Sequence, residues 1–408
     1  MPESCEARTD ALIFGGGVAG LWLLDELRRA GRSALLVEAQ RLGQGQTAAS
    51  QGIIHGGLKY TLAGVFTPSA STIREMPAIW QECLSGRREP KLDGAILRAE
   101  HCHLWRTESF SSRVGMFGAK ALLRAQPEPV SDGERPTALR SVRGEVYRIR
   151  EPVIDPCALL RRLAERNAGR VLANHDETGA RFERDAAGAV RSVRIQDSRA
   201  GDALLLFPRV VVLAAGAGNA RLLELVGGRS AEMQVRPLHM AMVRGELPEL
   251  NGHCTDMART RVTITSAQQA DGRRVWQLGG QVAEDGVTMS ADELLRHARD
   301  ELAAVVPGLE LRGLEWAAYR VDRAEARTAG GRRPDDVSCG AFGNVVYGWP
   351  TKLALAPRFA ERVMEMIGRM PGADTGAPPD AGVIPSDWRR PEVAPPPWES
   401  DVSWRRVD

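Results

Sequence analysis

Lysine, paired cysteine and long apolar runs are scarce in this chain of 408 residues. Lysine occurs only at Lys59, Lys91, Lys120 and Lys352, so the basic side of the composition is almost all arginine, as a codon bias would give. The formal net charge is +2 and no long basic run occurs, which argues against nucleic acid as a main partner. No stretch approaches the roughly 20 apolar residues of a membrane-spanning helix. The first ten residues, MPESCEARTD, contain no apolar signal core. Cys5, Cys83, Cys102, Cys157, Cys254 and Cys339 are scattered, with no C-x-x-C pair. They read as reduced thiols in a cytoplasmic protein. The length is enough for two intertwined domains with cores of their own.

What the chain does have is concentrated between Asp10 and Tyr60. Ala11–Phe14 is an apolar run of strand length, and Gly15, Gly17 and Gly20 follow at once in G-x-G-x-x-G spacing. Leu21, Leu24 and Leu27 then recur at helical spacing until Gly31 stops the pattern. Ser33–Val37 is a second apolar strand, closed by Glu38. A strand, a glycine turn, a helix and an acid after the next strand form the context a dinucleotide fingerprint requires. Gly15 permits the tight turn, Gly17 allows close approach to a pyrophosphate, and Gly20 lets helix pack on strand. The helix start, with Val18 and Ala19, presents N–H groups and a positive dipole end to phosphate. Glu38, followed by Ala39, suits ribose hydroxyls and would repel a 2′-phosphate, which argues against NADP. The fingerprint alone leaves NAD and FAD open.

The next segment, Gln44–Tyr60, is small, polar and glycine-rich and ends in Ile54-His55-Gly56-Gly57-Leu58-Lys59-Tyr60. Here the sequence resembles the flavoprotein oxidoreductases of the D-amino-acid oxidase and glycerol-3-phosphate dehydrogenase superfamily, with Lys59 where an arginine is often found. The resemblance implies FAD as cofactor. It implies a Rossmann-like α/β FAD-binding domain interleaved with an α+β substrate domain on an antiparallel or mixed sheet. By that likeness Gln46, Thr47, Ala49, Ser50, Gln51, Gly52 and Ile54 lie along the flavin. Some relatives pass electrons to membrane quinones, so contact with the inner membrane stays compatible with a cytoplasmic location.

Two later signals agree. The β-branched strand of PRVVVLAAGAG runs into Ala215 and Gly216, with a helix from Asn219. In similar flavoproteins such a strand lies beside the first glycine turn. Near the end, WAAYRVDR precedes FGNVVYGWPT. The resemblance makes Gly348 to Pro350 a turn, with Thr351 and then a helix from Lys352 to Ile367 aimed at the flavin pyrimidine. Helix dipole and N–H donors there would stabilise the negative charge of reduced flavin.

Between these signals the pattern is plainer. Ser69–Leu84 reads as a helix, and Leu92–Trp105 and Val114–Arg124 leave the βαβ rhythm. Gln126–Pro136 reads as loop and Val142–Arg150 as strand. Asp155 caps a helix with Pro156 at its first position, Val171–Asn174 follows as a strand, and Ala180–Phe207 reads as a meander. Strands are expected at His239–Arg244, Val262–Thr265 and Val275–Leu278, then a helix Ala291–Val305 whose Ser290 and Glu293 have capping-box spacing. The expected domains are 8–85, 151–225 and 316–370 for FAD, and 86–150 and 226–315 for substrate. Residues 371–408 form a proline-rich arm whose Trp388, Trp398 and Trp404 point to packing on the body or on a partner, possible self-association included.

His55 is the first catalytic candidate, since a neutral imidazole suits removal of a hydroxyl proton. Arg320 is the candidate anion clamp, with Lys59, Tyr60 and Tyr319 lining the same cavity. His101 and His103 share a strand face while Cys102 points away, and no further ligand accompanies them, so no metal is expected. The expected activity is an FAD-dependent dehydrogenase or oxidase acting on a small anionic hydroxy substrate, of glycerol 3-phosphate or 2-hydroxy acid type. Oxygen, a quinone or a protein would accept the electrons. Two alternatives stand beside it: oxidation of a D-amino acid or N-methyl amino acid, and a flavin-binding subunit of a multi-subunit dehydrogenase.

Overall fold

The computed structural model describes residues 5–57, 73–92, 96–107, 127–174, 179–196, 203–229, 232–256, 259–370 and 384–407. They divide into two compact units. The first comprises Met1–Ala48, Cys157–Arg236 and Arg323–Ala394, and the second Ala49–Pro156, Pro237–Asp322 and Pro395–Asp408.

The first unit is a mainly parallel sheet. Strand Cys5–Phe14 lies between Ala203–Leu213 and Ala34–Glu38, parallel to both. Val171–Ala173 extends the sheet beyond Ala34–Glu38, and Val345–Trp349 extends it beyond Ala203–Leu213, again in parallel. Ser338–Phe342 closes that side as an antiparallel hairpin strand. Ala11–Phe14 is buried at every position, as a run covered on both faces must be. Helix Val18–Arg29 buries Leu21, Leu24 and Leu27 as their spacing predicts, and Gly31 ends it with φ +74°. Ala203–Leu213 is one continuous strand through Pro208, where the sequence suggested a meander giving way to a new strand. Its first half pairs antiparallel with Val190–Gln196 at 203–206, and its end pairs with Val345–Trp349 at 211–213. Pro208 falls in the gap between these partners, where a missing N–H removes no bond to either.

The second unit is built on a nine-stranded sheet, largely antiparallel, in which Gly252–Asp256 runs parallel to Cys102–Trp105. Its core gathers Trp105, Trp276 and Trp316 with helix Ala291–Val305. The indole of Trp105 donates to the Val305 carbonyl at 2.8 Å. The capping box at Ser290 and Glu293 forms as the spacing predicts.

The changeovers between units differ from the domain limits read in the sequence. Residues 49–57 belong with the second unit, because Gln51 donates to the Thr263 and Gln277 carbonyls and Ile53 bridges Val153. Strands Met233–Gly245 and Glu315–Ala326 each continue across a changeover, so no break in periodicity marks it. The helix expected from Lys352 starts later: a 3-10 turn Leu353–Leu355 precedes Ala356–Gly368. The helix expected at 69–84 is described as Met76–Leu84, and the segment 114–124 lies outside the described residues. The arm is divided between units. Trp388 is buried in the first and Trp398 in the second, while the Arg244 guanidinium stacks over the half-buried Trp404 at 4.1 Å. Its tryptophans are thus covered by the chain itself. No helix among the described residues is long and apolar enough to cross a membrane.

Candidate active site

In the first unit the glycine turn is shaped by close contacts. Gly15 has φ +111°, and a Cβ there would lie 2.5 Å from the Ala215 Cα. A Cβ on Gly20 would lie 1.9 Å from the Gly15 carbonyl oxygen. On Gly17 it would approach only the Thr47 hydroxyl, at 3.2 Å, leaving the backbone open. The helix then starts at Val18, whose N–H donates to Thr47 Oγ1 at 3.3 Å, followed by Ala19 in the first turn. Glu38 Oε2 accepts from the Gly16 N–H at 2.6 Å and Oε1 from the Gln40 N–H at 2.8 Å. Burial pushes the Glu38 carboxyl up, against the pull of backbone N–H groups of Gly16, Gln40 and Ala39. Each oxygen keeps a lone pair for a ribose hydroxyl.

The second and third sequence signals meet at this turn. Ala215 donates its N–H to Asn219 Oδ1 at 2.8 Å, and Asn219 Nδ2 donates to the Gly348 carbonyl at 3.1 Å. The Trp349 indole donates to the Gly216 carbonyl at 3.0 Å. Asn219 and Trp349 are struts that the sequence reading did not single out. Gly348 lies inside strand Val345–Trp349, where a Cβ would sit 2.5 Å from the Ser338 carbonyl oxygen. Its role is close strand packing, and the turn itself is Pro350 to Lys352. Thr351 has φ +63°, a strained conformation for a β-branched residue, and its carbonyl is held by Arg333 at 3.0 Å. Its buried Oγ1 has no hydrogen-bond partner among the described residues. Lys352 is buried beside it in sequence. Gln46 donates to the Ala324 carbonyl at 3.4 Å. A side-chain-free phosphate turn, a ribose acceptor and an orphaned buried hydroxyl together fit FAD.

The second unit holds a different kind of site. Ile54 N–H donates to the Pro152 carbonyl and Ile154 N–H to that of Gly52, lacing residues 52–54 against 152–154. Gly52 has φ +73°, and a Cβ would lie 2.0 Å from the Ile154 carbonyl oxygen. This lacing sets His55 beside Glu151. His55 Nδ1 is 3.1 Å from Glu151 Oε2, and the Gly56 N–H donates to Oε1 at 2.7 Å. His253 Nε2 lies 3.7 Å from the same Oε2, and its Nδ1 is 2.9 Å from Thr263 Oγ1. His55 is 16% exposed, Glu151 3% and His253 fully buried. Burial opposes ionisation of Glu151, but the hydrogen bonds and charges of His253 and His55 outweigh it and hold the carboxyl well below the usual range.

Glu151 and His253 escaped the sequence reading. They stand about 100 residues apart in chain order, at no motif spacing. With His55 they are also the described group whose ligand-type atoms converge, all within 4.8 Å. The proton-sharing distance from His55 and the backbone bond to Oε1 make it a hydrogen-bonded acid–histidine cluster. The His101 and His103 rings lie 5.1 Å apart on one face, with Cys102 buried away from them, as strand alternation predicts.

Other expected residues are placed differently. Arg320 is exposed and donates to the Val287 and Met289 carbonyls at 3.1 Å each, so its guanidinium is engaged there and not with the His55 cluster. Tyr319 donates to the Ala49 carbonyl at 3.1 Å and accepts from Gln277 at 2.9 Å, and burial pushes its phenol up. It is a strut, with both hydrogen-bond functions in use. Gln51 is committed to the sheet through Thr263, Thr265 and Gln277. Ser50 Oγ is buried with no hydrogen-bond partner among the described residues. Lys59 and Tyr60 lie outside the described residues.

Comparison with known proteins agrees with the geometry. The family model "DAO: FAD dependent oxidoreductase" matches residues 10–351. A probable FAD-dependent oxidoreductase of Pseudomonas aeruginosa is 40% identical over 407 residues, which cover 98% of this chain and 99% of that one. The crystal structure of the P. aeruginosa FAD dependent oxidoreductase superimposes with a TM-score of 0.81 at 36% identity, over 98% of this chain and 99% of that one. At the level of the fold alone, glycine oxidase from Geobacillus kaustophilus gives a TM-score of 0.64 at 17% identity, over 89% and 95% of the two chains. Glycerol-3-phosphate dehydrogenase from Bacillus halodurans, complexed with FAD, gives 0.58 at 15% identity, over 88% of this chain and 64% of that one. The fingerprint at Gly15–Gly20, the fit to FAD and the match over most of the chain's length lead to one conclusion: this chain belongs to the DAO family of FAD-dependent oxidoreductases.

Proposed function

We propose that this oxidoreductase oxidises a small anionic hydroxy compound, of glycerol 3-phosphate or 2-hydroxy acid type. In this reading the first unit binds FAD and the second handles substrate. The single observation that carries it is the His55–Glu151 contact of 3.1 Å at the end of the glycine-rich segment. Bound FAD supplies the two-electron acceptor. Glu151 accepts the Nδ1 proton of His55, which fixes the ring in the tautomer with its basic lone pair on Nε2. His55 Nε2 takes the substrate hydroxyl proton as the carbon loses its hydride, and a carbonyl product results. Glu151, anionic and buried, stabilises the imidazolium that forms. Eight positions separate Thr47, at the glycine turn, from His55, so the covalent chain itself ties the cofactor turn to the base.

An amine substrate bound as the free base needs no such base, and that difference gives the test. Purified holoprotein is titrated anaerobically with glycerol 3-phosphate, 2-hydroxy acids, D-amino acids and N-methyl amino acids while oxidised-flavin absorbance is followed. Bleaching by a hydroxy compound, slowed about 10²–10⁴-fold by His55→Ala, is the expected outcome. Bleaching by amines alone, insensitive to His55→Ala, would overturn it.

A further inference from the structure

The C-terminal arm takes no part in the chemistry proposed for His55. Its residues 384–394 belong to the first unit. The buried Trp388 indole donates to the Ala173 carbonyl at 3.0 Å, and the Ala173 N–H donates to the Arg389 carbonyl at 3.0 Å. Arg390 Nη1 donates to the Gly169 and Val171 carbonyls at 3.2 and 3.0 Å. The arm therefore covers the open edge of strand Val171–Ala173. It then pairs in parallel with the segment after Glu38: Leu42 N–H donates to the Glu392 carbonyl at 2.8 Å, and Ala394 N–H to the Leu42 carbonyl at 2.9 Å.

A cavity of about 210 Å³ remains between these two segments, lined by Ala39, Gln40, Arg41, Arg389, Arg390 and Glu392. Half of this lining directly follows Glu38 and half comes from the arm. The volume is below the roughly 300–1,000 Å³ of pockets for drug-sized ligands, and the pocket is open to solvent on one side. Order along a dinucleotide fixes what belongs there. With the pyrophosphate at Gly15–Gly20 and a ribose on Glu38, the base carried by that ribose comes next, past the end of strand Ala34–Glu38. The Arg390 guanidinium, pinned by two carbonyls, offers a rigid planar surface, and Gln40 offers an amide donor and acceptor.

We infer that the arm is the outer wall of the adenine pocket, with Arg389 and Arg390 facing the base across from Gln40 and Arg41. The inference rests on Glu38 as the ribose partner. The FAD site is then built from both ends of the chain, and cofactor loading and arm docking stabilise each other.

Two measurements on the full-length protein test this. Hydrogen exchange of the wild-type chain is compared with FAD removed and restored. Peptides covering 384–394 are expected to gain protection with FAD, and unchanged exchange there overturns the inference. Arg390→Ala is then expected to weaken FAD binding at least tenfold, read by flavin fluorescence, with FMN binding unaffected because FMN lacks the adenosine. Apoprotein melting controls for folding, and Arg390→Lys, which keeps a donor without the plane, is expected to fall between. An FAD affinity unchanged in both variants overturns the arm's role. Glu38→Gln runs beside them: weakening there but not at Arg390 sinks the arm inference alone, and no weakening at Glu38 sinks the ribose assignment beneath it.

Discussion

The two units build their candidate sites by opposite means. In the first, backbone does the work: Gly15, Gly17 and Gly20 leave out side chains where the helix starting at Val18 begins. In the second, side chains do it: His55, Glu151 and His253 converge from three distant parts of the chain. Backbone sites are intolerant of added bulk, whereas side-chain clusters are sensitive to charge and protonation.

The harshest way to break this comparison is Gly20→Val. A Cβ there would lie 1.9 Å from the Gly15 carbonyl oxygen, so the glycine turn has to open and the start of the helix to shift. FAD binding is expected to weaken about 100-fold or more, roughly 3 kcal/mol, and the protein to purify without flavin colour while keeping its circular dichroism. Retained flavin would show that the glycine turn is not the cofactor cradle.

Glu151→Gln comes next and strikes the second unit. It keeps the shape but removes the charge, so substrate-driven flavin reduction is expected to slow about 100-fold. Stability is expected to drop by about 3 kcal/mol, as for breaking a buried pair. Because the carboxyl of Glu151 is held below its ordinary value in the folded state, its contribution is present above the usual carboxylate range and is lost as pH falls through and below it. Melting curves of variant and wild type are therefore expected to differ most near neutral pH and to converge in acid. A constant difference at every pH would remove the charge from the account.

His103 sharpens the same contrast at smaller scale. Burial, with the neighbouring charges of His101 and Arg148, pushes its pKa down to about 4. A histidine depressed in this way favours the folded state above about pH 6.5 and loses that contribution as pH falls from there toward 4. His103→Gln is expected to flatten the acid loss of stability in that window, read by denaturant unfolding at stepped pH. The smallest effect is expected at Ser290, a feature of the second unit that is nonetheless local. Ser290→Ala removes the helix cap at Glu293 N–H and should cost about 1 kcal/mol, seen as a slightly lower melting temperature with flavin reduction unchanged.

The legibility of each feature in the sequence follows the same division. The glycine turn, its strand and helix, Glu38 and the Ser290 cap all lie within local windows, and each formed where spacing placed it. The helix after Lys352 was misplaced by four residues, because Thr351 turns the chain at φ +63° and a 3-10 turn intervenes. Arg320 looked like an anion clamp because arginine is the usual one, yet carbonyls of Val287 and Met289 hold it. The resemblance put a turn at Gly348, yet Gly348 packs within a strand.

Taken by itself, the sequence determined that a dinucleotide-binding strand–turn–helix exists, where it starts, and that His55 follows it on a glycine-rich segment. Those features depend on residues a few positions apart, whose conformations are set by local sterics and hydrogen bonding. Only the tertiary structure decided that Glu151 and His253 stand behind His55, that Asn219 and Trp349 tie the second glycine turn to the third motif, and that the arm closes over the segment after Glu38. These are contacts between parts of the chain tens to hundreds of residues apart. No spacing encodes them, and they exist only because each sheet brings distant parts of the chain together within its own unit.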